Sequence, residues 1–119
     1  MKDCIFCRIV KKEVPAEIEM ETETLVAFRD INPKAPVHIL IIPKKHIENL
    51  ANASKEDLEI LGDCQLAAKE VAKKNGIEKA FRLLTVSGAG AGQTVLHLHY
   101  HLVGGWKDGI PGMEIWREE

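Results

Sequence analysis

The chain has 119 residues, 45% of them hydrophobic and 29% charged, which suits one globular domain and is too few for two comfortable cores. Sixteen Lys and Arg against eighteen Asp and Glu leave a net charge of -2, which argues against a general nucleic-acid binder, whose basic residues run in clustered excess. No apolar run reaches the roughly 20 residues of a membrane span and the first residues lack the apolar stretch of a signal peptide, so a cytoplasmic protein without a membrane partner is expected, its three cysteines thiols or metal ligands rather than disulfides.

In chain order, residues 3–12 predict a short helix that ends before Pro15, because the residue preceding a proline avoids helical geometry. Residues 17–20 and 25–29 read as a hairpin around a polar turn at 21–24. After a two-proline connection at 30–36, the apolar, β-branched run 37–42 predicts a central strand buried on both faces, with His38 an unusual member. Ser54 with Asp57 gives a capping-box start to one long helix. Its apolar stripe is Leu58, Leu61, Cys64, Ala68, Val71 and Ala72, and Asn75 and Gly76 supply a left-handed stop. Cys64 belongs to that stripe as a core residue. A strand at 81–86, a glycine-rich loop at 87–92 and a last strand at 94–103 follow, and the tail from Trp106 carries no firm pattern. Hairpin-linked strands with one long helix predict an α+β fold, helices on one face of a mostly antiparallel sheet.

The stretch HLHYHLV at 97–103 is the most informative. On a strand, His97, His99 and His101 share one face while Leu98, Tyr100 and Leu102 pack on the other. Three adjacent imidazoles suit either a zinc ion or nucleophilic catalysis by a neutral ring whose neighbours fix its tautomer. The adjoining Gly88, Gly90 and Gly92, with Ser87 and Thr94, can bring backbone amides and hydroxyls to a phosphate and so favour the second reading. The loop alone is a weak signal, since it fits neither phosphate-binding fingerprint and leads into a strand. Cys4 and Cys7 form a C-x-x-C pair that can clamp zinc given two further ligands. No second such pair supports a zinc ribbon, and the N-terminal position does not suit a thioredoxin-like role.

Residues 97–103 match in full the signature of the histidine-triad (HIT) family, in which histidines alternate with apolar residues. The blocks AFRDINP at 27–33, APVHILIIPKKHI at 35–47 and GQTV at 92–95 resemble the Hint-like purine nucleoside phosphoramidase branch. The resemblance covers roughly residues 4 to 105, nearly the whole chain. It implies a single HIT domain over 1–119, with a core at 1–105 and a tail at 106–119. The implied fold is a five-stranded antiparallel sheet with two helices, and the implied assembly is a homodimer with one continuous ten-stranded sheet.

The same resemblance implies the chemistry. His99 would be a nucleophile toward the α-phosphorus of a nucleoside 5′-phosphoramidate, forming a nucleotidyl-histidine that water converts to nucleoside monophosphate. His101 would bond the phosphate or leaving group, His38 would support the triad, and His97 would complete it. Gly92, Gln93 and Thr94 would hold the phosphate and Asp30 the ribose. Phe6, Ile9, Val14, Phe28 and Ile31 would line the purine pocket. Zinc-carrying bacterial members imply a structural zinc on Cys4, Cys7, His46 and His97. The sequence departs from that branch at Val86, where an asparagine is usual, and in the tail at Ile110, Pro111, Gly112 and Trp116. Two rival readings are a metallohydrolase with zinc on the three strand histidines, and a nucleotide-binding or scaffold protein with weak or no catalysis.

Overall fold

The structure, a computed structural model, describes residues 4–110; the expectations placed on Asp3, Pro111, Gly112 and Trp116 lie outside them. Helix α1 (Ile5–Val10) is followed by β1 (Ile18–Glu21), β2 (Leu25–Arg29), β3 (Val37–Pro43), α2 (Leu58–Lys74), β4 (Phe81–Thr85) and β5 (Tyr100–Gly104). The five strands form one sheet in the order β1-β2-β3-β5-β4, with every neighbouring pair antiparallel. No helix among the described residues is long and apolar enough to cross a membrane.

Alternation along the strands divides two cores. Leu25, Ala27, Ile39, Ile41, Tyr100 and Leu102 pack against Cys64, Ala67, Ala68, Val71 and Ala72 of α2. Val26, Phe28, Leu40 and Ile42 face the other way, against Phe6 and Ile9 of α1. Successive side chains of a strand point to opposite faces, so the two helices cover opposite faces of the sheet rather than one. β3 is buried on both sides, as its unbroken apolar run requires.

The capping box at Ser54 and Asp57 forms, the Ser54 amide donating to Asp57 Oδ2 at 2.9 Å, but it opens a 3-10 turn (Lys55–Asp57) that runs into α2. Leu58 therefore sits on the outer side, 70% exposed, and does not join the predicted stripe. At the other end Gly76 takes φ +73° and the Ile77 amide returns to Ala72 O, closing the helix as expected.

The last strand is shorter than predicted, Tyr100–Gly104 instead of 94–103. Contacts outside the sheet occupy the backbone groups that a strand partner would use. Gln93 Nε2 donates to Val95 O, His99 Nδ1 donates to His97 O, and the Leu98 amide goes to Ile47 O outside the sheet. The segment before β5 is thus an irregular shelf, and it carries two of the three histidines.

Candidate active site

The shelf fixes the tautomer of His99. Its Nδ1 lies 2.7 Å from the carbonyl oxygen of His97. A carbonyl only accepts, so Nδ1 carries the proton and Nε2 of the neutral ring keeps its lone pair. The ring is buried, edge-on to Phe6 with centroids 5.2 Å apart, and lines a cavity of about 580 Å³. A lone pair on an oriented imidazole is what a nucleophile needs.

A second chain of hydrogen bonds sets His101. The Lys34 backbone amide donates to His38 Nδ1 at 2.9 Å, which leaves the proton of the neutral ring on Nε2. That N–H donates to His101 Nδ1, also at 2.9 Å. His101 Nε2 therefore carries its proton, on a ring that lines the same cavity 5.0 Å from His99. β3 and β5 place this pair: Leu40 lies opposite His101 and His38 is its diagonal neighbour on the same face. Burial pushes His38 below the ordinary histidine range. It pushes His101 down to about 4, with the neighbouring His99 and His38 adding to the effect, so both rings are neutral at pH 7. Asp30 Oδ2 lies 3.4 Å from His38 Nε2, and Asp30 Oδ1 accepts the Asn32 amide in a tight turn.

Besides the histidines, the cavity wall holds Phe6, Ile9, Val14, Phe28, Asp30 and Ile31, together with Gly92 and Thr94. The structure thus brings to one place nearly all the residues assigned to substrate. Ile31 stands at the rim, 90% exposed. Gln93 does not face the cavity. Its Oε1 accepts from the Gly88 amide and Asn49, and its Nε2 donates to Glu48 O and Val95 O, so the side chain is spent on bracing the glycine loop. Gly88 at φ +95° and Gly92 at φ +105° supply the left-handed turns on either side of the Ala89–Ala91 turn. Val86 is not among the cavity residues. The Lys34 amide, which orients His38, and the brace formed by Asn49 were not legible in the sequence, because a main-chain donor leaves no residue signature and a lone asparagine has many uses.

His97 belongs to a separate cluster. Its Nε2–H donates to Pro43 O at 2.9 Å, which leaves a lone pair on Nδ1. That nitrogen lies 3.4 Å from Cys4 Sγ, 3.6 Å from Cys7 Sγ and 3.1 Å from His46 Nδ1, and Cys7 Sγ is 3.2 Å from His46 Nδ1. All four ligand atoms lie within 4.8 Å of one another. A tetrahedral zinc with N and S ligands separates them by roughly 3.3–3.8 Å, and the His97–Pro43 bond is the kind of outer contact that fixes a ligating imidazole. The donor set and spacing fit zinc. Among the described residues the other group with metal-ligand spacing is Asp30, His38 and His101, in which the His38 and His101 nitrogens already share a hydrogen bond. His97, His99 and His101 do not form a ligand group, so the metallohydrolase reading loses its geometry.

Comparison with known proteins shows the family and the fold. A family described as "Scavenger mRNA decapping enzyme C-term binding" matches residues 3–110. An uncharacterised HIT-like protein of Synechocystis is 50% identical over 104 residues, covering 87% of this chain and 91% of that one. A "14 kDa zinc-binding protein" of Zea mays is 48% identical over 103 residues, covering 85% and 80%. The solved structure of a HIT family hydrolase from Clostridium thermocellum superposes with a TM-score of 0.88 at 49% identity, covering 94% of this chain and 98% of that one.

Proposed function

Because this chain belongs to the histidine-triad (HIT) family, we propose that it is a nucleotide hydrolase that cleaves purine nucleoside 5′-phosphoramidates through a nucleotidyl-histidine at His99. The observation that carries the reading is the lone pair on His99 Nε2, held by the His97 carbonyl in a cavity that also offers a carboxylate, an imidazole N–H and a glycine loop. Apolar walls from Phe6, Ile9, Val14, Phe28 and Ile31 take the base, and Asp30 accepts from the ribose hydroxyls. The amides around Gly92 and the Thr94 hydroxyl face the phosphate.

His99 Nε2 attacks phosphorus in line as the phosphorus–nitrogen bond breaks. An anionic phosphate beside His101 raises the pKa that burial had lowered, so in the complex this ring can hand a proton to the departing amine. Water then attacks the phosphorus, regenerates the imidazole and releases nucleoside monophosphate. Dividing one hard displacement into two is the gain of covalent catalysis, and fixed charges and dipoles supply most of the rest in phosphoryl transfer.

The second element of the proposal is a structural zinc on Cys4, Cys7, His46 and His97, supported by the fit of the four donors and by the zinc-binding relative. When bound, the ion would tie α1 to the segment after β3 and to the histidine shelf, and it leaves His99 outside the metal site. The proposed assembly is a homodimer.

The test is turnover of adenosine 5′-phosphoramidate, with AMP measured by chromatography. The wild-type chain is expected to release AMP, and His99→Asn to be slower by about 10³-fold or more. A variant that keeps a near-normal rate rejects the covalent route; tight nucleotide binding with no turnover by the wild type would favour the binding-protein reading.

A further inference from the structure

We infer that metal occupancy at Cys4, Cys7, His46 and His97 and nucleotide occupancy of the histidine cavity are coupled through helix α1, each tightening the other. The inference rests on both elements of the proposed function and adds a regulatory link between them.

Helix α1 has six residues. Isolated helices shorter than about 12–15 residues are marginal in water, so this one depends on what holds it from outside. Two of its anchors are metal-site atoms. Cys4 caps the N-terminus, its Sγ accepting the Cys7 amide at 3.3 Å, and Cys7 Sγ reaches His46. The other anchor is the cavity wall. Phe6 and Ile9 are the helix's buried residues, and both line the nucleotide cavity. Phe6 is wedged between the sites, edge-on to His97 at 5.9 Å, to His99 at 5.2 Å and to Phe28 at 5.5 Å. The six-residue helix and its N-cap Cys4 therefore present two ligands to the metal and a wall to the base.

His97 provides a second route. Its Nδ1 belongs to the cysteine cluster while its own carbonyl holds His99 Nδ1. A shift of His97 moves the group that orients the nucleophile. Both routes pass through elements that the metal would order, so the cost of ordering α1 is met once and the second ligand to bind avoids it. Thermodynamic linkage then requires the two affinities to change by the same factor. The metal cluster is also reachable: a depression lined by Cys4, His46, Glu48 and Leu96 adjoins the cavity and shares Ile5, Thr94 and Val95 with it.

Calorimetric titration of the full chain with AMP, zinc-loaded and chelator-stripped, tests the coupling without using turnover. AMP is expected to bind at least about tenfold more weakly to the stripped protein, and zinc, measured by competition with a chromophoric chelator, to bind more weakly without AMP by the same factor. Hydrogen exchange on the stripped protein is expected to show lost protection at the α1 amides, such as Arg8 and Lys11, while β3 and β5 keep theirs. Equal AMP affinity in the two forms overturns the coupling and leaves both site readings standing. Loss of protection across β3 and β5 as well overturns the α1 route, since the change would then be global unfolding. If the loaded protein fails to bind AMP the nucleotide reading falls, and if it holds no stoichiometric zinc the metal reading falls. Either result also removes the coupling.

Discussion

At the scale of single residues, the three histidines of one sequence motif do three different things, and main-chain atoms make the difference. His97 and His99 each donate to a carbonyl, but through opposite ring nitrogens, so one presents Nδ1 to the cysteine cluster and the other keeps Nε2 for chemistry. His101 takes its orientation from His38, and His38 from the Lys34 amide. The alternation in the sequence announces a histidine face; it cannot say which nitrogen of each ring is protonated. Burial of His101 also has a consequence for stability. Its pKa falls from 6.5 to about 4 in the folded chain, so below about pH 6.5 the unfolded chain binds a proton there that the folded chain refuses. Stability attributable to this ring is therefore present at neutral pH and is lost as pH falls from about 6.5 toward 4. Glu19, Glu21 and Asp57 are held below their ordinary values and begin to cost stability only at lower pH. Between pH 7 and 5, the urea midpoint of the wild type is expected to fall more steeply than that of His101→Gln. Parallel slopes would mean that the ring is not held neutral by the fold.

At the scale of elements, α1, the glycine loop and β5 carry the site. The glycine loop was legible from its composition, and its brace was not. Gln93 resembles a ligand residue in sequence but makes four hydrogen bonds to protein atoms. Gln93→Ala leaves the buried Asn49 amide without this partner, at about 1–3 kcal/mol, frees three part-buried main-chain groups, and is expected to lower thermal stability and weaken AMP binding together. A variant as stable as the wild type would show that the loop holds itself. β5 ends at Gly104, where a Cβ would lie 2.9 Å from Ile77 Cδ1 and 3.1 Å from Ala80 O. Gly104→Ala forces this packing apart and is expected to cost about 1–3 kcal/mol in a denaturation curve, with catalysis little changed because the cavity is on the other face. The lengths of β5 and α1 were overestimated for related reasons. Hydrophobic periodicity continues through the shelf and the helix end, but other contacts take the backbone groups: Gln93 and His99 side chains and Ile47 O in the shelf, and Arg8 O and Ile9 O past α1, where Lys12 turns to φ +64°.

At the scale of the whole molecule, the sheet is a partition. One face buries α2 in a conventional apolar core, and the other holds α1, the cysteine–histidine cluster and the cavity. The strand alternation and the stripe on α2 made the first face readable from sequence alone. The second depended on resemblance. Residues as distant as Cys4 and His97, or Asp30 and His101, meet there only because the β3–β5 pairing and the return of α1 bring them together. The same division explains why the rival metallohydrolase fails on geometry. The four clustered donors, Cys4, Cys7, His46 and His97, and the His99 ring lie side by side, yet His99 is not among the clustered ligands.

The central claim is that His99 forms a covalent bond to phosphorus during turnover. Its most direct test is mass spectrometry of the protein quenched rapidly in alkali during turnover of adenosine 5′-phosphoramidate. One adenylyl group on the peptide containing His99, absent from His99→Asn, is the expected outcome. Steady AMP production with His99 unmodified throughout, or an adenylyl group on a different residue, would contradict it.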